Sequence, residues 1–311
     1  MKNNSELFKN KRLIAFISLV FAMLFWSGNT LLTRASVGEI PPLALAFYRW
    51  TIAAIILLVI NHKSIIAHRN TILKEYKKIL FLALLGITLY SSIIYSALQT
   101  TTAINANMIG SSGPLITTLL AWCVLKEKTN IIQSASILLA CAGVGIVISK
   151  GSLYNLITIS FNHGDLLVIA AVITWSSYSI FVQKWSINLP PFVLLTLLAC
   201  IGIIGLFPLY CIESTLHGMF VPTATTWPTI FYLAIFPSII SFSLWLSAVK
   251  ELGSALTALF GYMQMIFTTT FACLFLNEQL HFYQIAGGLC TLLGLYLYTT
   301  NKSAIHIQES H

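Results

Sequence analysis

The stretch LIAFISLVFAMLFWSGNTLL, Leu13 to Leu32, carries no charged residue and follows directly on Lys9, Lys11 and Arg12. A helix rises about 1.5 Å per residue and a bilayer's hydrocarbon core is about 30 Å thick, so a run of this length crosses a membrane once. It is too long for the apolar core of a secretory signal and lacks a small-residue cleavage pattern, which predicts a retained first span. Further apolar runs follow at 43–60, 79–97, 103–125, 131–148, 164–183, 191–211, 228–249, 254–276 and 282–299. Strands of a transmembrane barrel alternate apolar and polar residues, whereas Ile52 to Ile60 and Leu197 to Phe207 contain no polar side chain. The expected fold class is an all-α membrane protein with ten transmembrane helices. Composition agrees, because 57% of the 311 residues are hydrophobic and 8% are charged, against roughly a quarter charged in an ordinary soluble protein.

The net charge of +8 does not predict a nucleic-acid partner, because Lys and Arg lie in short segments between apolar runs instead of on a folded basic face. The expected surroundings are a lipid bilayer. With the N-terminus inside, the inner segments hold fourteen of the seventeen Lys and Arg, the outer ones hold Arg34 and Lys150, and Arg49 lies within a span. Positive segments are retained on the cytoplasmic side. A multi-pass inner-membrane protein is therefore expected, with cytoplasmic tails at 1–12 and 300–311. The six cysteines all fall in or beside apolar runs and form no CxxC pair. They read as small buried hydrophobes, and no metal or cofactor is expected.

The second half of the chain repeats the first. At a shift of 149, Trp26-Ser27 falls on Trp175-Ser176, Asn29 on Tyr178 and Pro41-Pro42 on Pro190-Pro191. At a shift of 151, Gly110 falls on Gly261, Thr118 on Thr269, Leu125 on Leu276, Glu127 on Glu278 and Gly143 on Gly294. Each half, 13–148 and 164–299, contains five spans. An odd number reverses the direction of entry, so the two five-helix repeats are expected to be inverted, an architecture that can open a shared site to alternate faces.

Polar residues inside spans are costly and mark either cavities or interhelical contacts. Trp26 and Asn29 share one helical face about 20 Å from the inner end of span one; their mates Trp175 and Tyr178 lie at similar depth from the outer end of span six. Span four carries Asn105, Asn107, Ser111, Ser112, Gly113 and Pro114, and span nine carries Tyr262 and Gln264 on the equivalent stretch. Asn107 and Ser111 align four residues apart, and Pro114 removes a backbone hydrogen bond. Arg49 sits about two turns from the outer end of span two. There a charge costs roughly 2.5 to 3.5 kcal/mol at mid-membrane, so it faces a cavity or reaches back to the interface. Trp26, Asn29, Arg49, Asn107, Ser111, Trp175, Tyr178, Trp245, Tyr262 and Gln264 are the candidate substrate contacts, with helix packing as the alternative for each. Gly143, Gly145, Gly202, Gly205, Gly287, Gly288 and Gly294 read as points of close helix approach. No acid lies at mid-span: Glu39, Asp165, Glu213 and Glu278 are near the outer boundary, Glu127 and Glu251 near the inner one. This favours facilitated or exchange transport over coupling through a central carboxylate. No HExxH, phosphate-binding glycine loop or GxSxG is present, so catalysis is not expected.

In order along the chain, Phe25-Trp26-Ser27-Gly28-Asn29, Ile40-Pro41-Pro42, Tyr48-Arg49-Trp50 and Leu125-Lys126-Glu127 resemble the drug/metabolite transporter superfamily, EamA type. The resemblance covers residues 13 to 299. It implies a ten-helix inverted-repeat carrier that exports amino acids or other small metabolites, with a cavity lined by helices including one, four, six and nine. One departure stands out: the proline common in the second-half copy of span four's motif is Met265 here. The expected function is a secondary transporter of a small metabolite working by alternating access; a channel, scaffold or membrane enzyme is the alternative.

Overall fold

The computed structural model describes residues 2–125, 131–152, 162–258, 260–290, 293, 294, 296 and 297. Lys126, Glu127, Lys128 and the tail 300–311 lie outside the described residues. Backbone amides in hydrocarbon find no water, so each apolar run closes its hydrogen bonds within itself. Every regular element among the described residues is accordingly helical.

In chain order these are α1 (Lys2–Ala35), α2 (Pro42–Ala67) and α3 (Arg69–Ala83), which passes through a π turn (Leu84–Leu89) into α4 (Tyr90–Ala97). Then come α5 (Ala103–Gly110), α6 (Gly113–Leu125), α7 (Ile131–Ile148), α8 (His163–Trp185) and α9 (Pro191–His217). The chain continues with α10 (Trp227–Leu233), a second π turn (Ala234–Ser241), α11 (Phe242–Leu252), α12 (Ser254–Ala258) and α13 (Gly261–Phe275); residues 282–290 are also helical. Seven helices are long and apolar enough to cross a membrane: Leu13–Ala35, Pro42–Ala67, Arg69–Ala97, His163–Trp185, Pro191–His217, Trp227–Leu252 and Leu256–Phe275. Outward-facing side chains such as Val59, Ile204 and Leu274 are exposed, as a surface solvated by lipid chains requires.

Two boundaries differ from the hydropathy reading. The first helix already begins at Lys2, so residues 2–12 extend the first span instead of forming an irregular tail. The stretch between spans two and three is helical as well, with His68 as the one residue between α2 and α3. Its apolar members explain this: Ile79, Leu82 and Ala83 recur at helical spacing and are buried, while Arg69, Lys74, Lys77 and Lys78 occupy the rest of the helix.

Span four is broken. Ser111 and Ser112 separate α5 from α6, and Pro114 lies in the first turn of α6, where a missing N–H removes no intrahelical bond. Proline therefore starts a helix here rather than kinking one. Its repeat mate is broken too, between Ala258 at the end of α12 and Gly261 at the start of α13, although Met265 stands where the family has proline.

Acidic side chains brace helix starts. Glu213 of α9 accepts from the N–H groups of Leu43 (3.0 Å) and Ala44 (2.7 Å) at the start of α2. Glu278 does the same for Ala103 (3.0 Å) and Ile104 (3.1 Å) at the start of α5, and lies 3.9 Å from Arg34. Small residues admit close contacts, as the sequence suggested. A Cβ at Gly202 would lie 2.4 Å from Ile87 Cγ2 in the first π turn, and one at Gly287 would lie 2.6 Å from the Gly143 carbonyl oxygen.

Candidate functional site

A cavity of about 130 Å³ lies among α1, α2, α4, α5, α6, α8, α11, α12 and α13. One wall is aromatic. Trp26 and Trp175, mates under the repeat, meet edge to face with centroids 5.5 Å apart, and Trp245 stands 5.3 Å from the first and 5.5 Å from the second. Phe242 closes the group at 5.3 Å from Trp175. Such edge-on and tilted pairs place the positive rim of one ring against the negative face of another, which rigidifies the wall. The Trp26 indole is also anchored, donating to the carbonyl of Pro237 at 3.1 Å, inside the second π turn.

The opposite chemistry is supplied by Arg49. Its head is buried, with the residue 5% exposed, so it does not reach back along the helix to an outer surface. Nη1 donates to Asn29 Oδ1 at 2.8 Å and to the Tyr95 hydroxyl, which in turn donates to Asn29 Oδ1 at 2.6 Å. The guanidinium carbon lies 4.9 Å from the centroid of Trp50 and 5.0 Å from that of Tyr95, within cation–π range. Trp50 is itself fixed by its indole N–H, which donates to Ser91 Oγ at 3.0 Å. The head is thus held by neutral partners, and Nε has none.

Amides complete the lining. Asn107 Nδ2 donates to the Ala103 carbonyl at 3.2 Å, and the Gln264 amide lines the cavity with no side-chain hydrogen bond among the described residues. Thr117 donates to Ser176 at 3.0 Å, tying α6 to α8. Arg49 is the one charged residue in the lining. The nearby acids are committed elsewhere: Glu213 and Glu278 brace helix starts, and Asp165, fully buried in the first turn of α8, accepts from the Thr101 hydroxyl.

Of the residues singled out from sequence, Trp26, Asn29, Arg49, Asn107, Trp175, Trp245 and Gln264 line this cavity. Three do not. Ser111 sits at the break in span four and donates to the Met108 carbonyl at 2.5 Å. Tyr178 is fully buried against Gly86, where a Cβ would come within 2.6 Å of its ring. Tyr262 is buried outside the lining, its hydroxyl without a partner. Sequence reasoning missed Tyr90, Ser91 and Tyr95. Their signal was present, since Tyr90, Ser91, Ile94 and Tyr95 recur at the spacing of one helical face. Phe242, an aromatic in an apolar run, gave none.

The model of the EamA-like transporter family matches this chain twice, over residues 13–149 and 162–300. The chain belongs to that family. Among its EamA-like relatives, an uncharacterized transporter of Archaeoglobus fulgidus is 28% identical over 285 residues, 91% of this chain and 96% of that protein. The uncharacterized transporter YyaM of Bacillus subtilis is 24% identical across 92% of this chain and 93% of its own length. A WAT1-related protein of Arabidopsis thaliana is 24% identical, with 92% and 85% covered. A crystal structure with 19% identity superposes with a TM-score of 0.66 and covers 96% of this chain and 99% of its own, which shows a shared fold. This EamA-like chain is a multi-pass membrane protein of a transporter family, with a small-molecule substrate and a lipid environment; transporters of this kind are not enzymes.

Proposed function

We propose that the protein is a secondary transporter that exports a small metabolite, such as an amino acid, by alternating access through the cavity between α1, α5 and α6, α8 and α13. The observation that carries this reading is the cavity's composition. In a chain of transporter family, polar side chains from both halves and a tryptophan wall built from repeat mates line one enclosed space.

The reading includes ten spans arranged as two inverted five-helix repeats, with both termini at the cytoplasmic face of an inner membrane. Three features support it. The two stretches matched by the family model fall in the two halves. The π turns begin at residues 84 and 234, a separation lying between the two repeat shifts. The break in α5–α6 has a counterpart in α12–α13. No acid lines the cavity, which favours exchange or facilitated movement over coupling through a central carboxylate.

The test is counterflow of labelled amino acids and nucleosides in proteoliposomes, with Trp175→Ala and Asn107→Ala beside the parent. Saturable exchange that weakens about tenfold or more in both variants is expected, as for loss of a contact worth ~1.4 kcal/mol. Flux that never saturates and shows no exchange between labelled and unlabelled solute would make the protein a channel instead.

A further inference from the structure

The charge balance of the cavity assigns a substrate class. Its lining contains one cation, Arg49, and no Asp, Glu or second basic side chain. Among the described residues no carboxylate lies within ion-pair distance of Arg49, the two ion pairs being Arg34–Glu278 and Lys78–Glu75. Both hydrogen bonds of the head leave from Nη1 toward neutral oxygens, and Nε is buried with no partner. A buried charge is ordinarily neutralised by a partner or by a shift in protonation. Arginine does not deprotonate in proteins. The compensation missing from the wall has to come from whatever fills the cavity.

We propose that Arg49 docks the carboxylate of a substrate whose body is aromatic or similarly flat and apolar. The inference rests on reading the cavity as the transport site, and it sharpens that reading by naming which end of the substrate is recognised. The guanidinium fork is planar and suits the two oxygens of a carboxylate. Asn29 and Tyr95 hold it in place while using only Nη1, which leaves the rest of the fork uncommitted. The other wall, Trp26, Trp175, Trp245 and Phe242, offers ring faces and edges to a flat apolar body. An ammonium group would meet no acid there. An amino acid therefore enters as one kind of carboxylate, and its amino group is dispensable.

The experiment compares 3-phenylpropanoate, phenylalanine, neutral 3-phenylpropanamide and cationic phenethylamine as ligands of the purified protein, read by quenching of tryptophan fluorescence. The same four are then used in proteoliposome counterflow. The propanoate is expected to bind about tenfold or more tightly than the amide, the ratio of a charge-assisted contact to a neutral one. Phenethylamine is expected to bind weakest. In Arg49→Gln the preference for propanoate over amide disappears while the amide's own binding stays, and Arg49→Lys keeps part of it. Should Arg49→Gln fail to fold, the ranking of the four ligands on the parent decides the question alone. Equal binding of amide and propanoate, a best-binding amine, or no binding by either carboxylate overturns the proposal. Counterflow separates it from the wider reading: exchange of a cation or neutral solute that survives Arg49→Gln overturns the anion site and leaves a transporter. Propanoate binding without any counterflow leaves the anion site and removes transport.

Discussion

At the residue scale the Arg49, Asn29 and Tyr95 cluster sets the character of the cavity, and its hydroxyl has two duties. Tyr95 accepts from the guanidinium and donates to the amide. Tyr95→Phe therefore leaves Nη1 with one acceptor in place of two, and a loss of about 1–3 kcal/mol is expected, the usual cost of stranding a buried polar group. A lower midpoint of thermal unfolding in detergent measures it; an unchanged midpoint would mean that water takes the hydroxyl's place. Arg49, Asn29, Asn107 and Gln264 were legible in the sequence because a polar side chain within an apolar run is conspicuous whatever it touches. Their partners were not legible, because which polar groups meet is decided by how separate helices cross. Tyr178 illustrates the limit. Tyrosine has both a polar tip and an apolar body, and here the body prevails, seated on Gly86 with the ring fully buried.

Helix contacts at the element scale depend on small residues and on carboxylates placed at helix starts. Gly202→Leu is expected to cost about 1–3 kcal/mol by overpacking, since its Cβ already falls 2.4 Å from Ile87 in the π turn. Gly145→Ala, where a Cβ meets nothing within 4 Å, serves as the control and is expected to be near neutral. Thermal midpoints of the two variants would show whether the first π turn yields; equal midpoints would mean that it does. Glu278→Gln removes the charge that faces two helix-start N–H groups and Arg34, for an expected loss of about 1 kcal/mol, and Glu278→Ala loses more. Hydropathy located the spans well, because lipid leaves an apolar run no alternative to a helix. It missed the extension of α1 to Lys2 and the helical link around His68, where basic residues on one side of a helix hide the apolar stripe on the other. The π turns were not legible at all: Leu84–Leu89 is as apolar as any α-helical run, and Pro237 alone hints at the second.

At the scale of the whole molecule, the inverted arrangement makes a prediction about sidedness. In a variant stripped of native cysteines, single cysteines at Asn3 and Ser303 are expected to resist a membrane-impermeant maleimide added to intact cells and to react after permeabilisation. Cysteines at Glu39 and Ser152 are expected to react at once. Labelling of Asn3 and Ser303 on opposite faces would exclude ten spans with both termini inside. The π turn at Ala234–Ser241 has a consequence for heredity. Gaining or losing one residue in a loop is usually silent, but an α-helix advances about 100° per residue. A one-codon deletion within this turn that drew it into ordinary register would shorten the helix by about 1.5 Å and re-aim everything after it. Phe242 and Trp245 would turn away from the cavity together, so the gene's length at this point encodes the direction in which an aromatic wall faces.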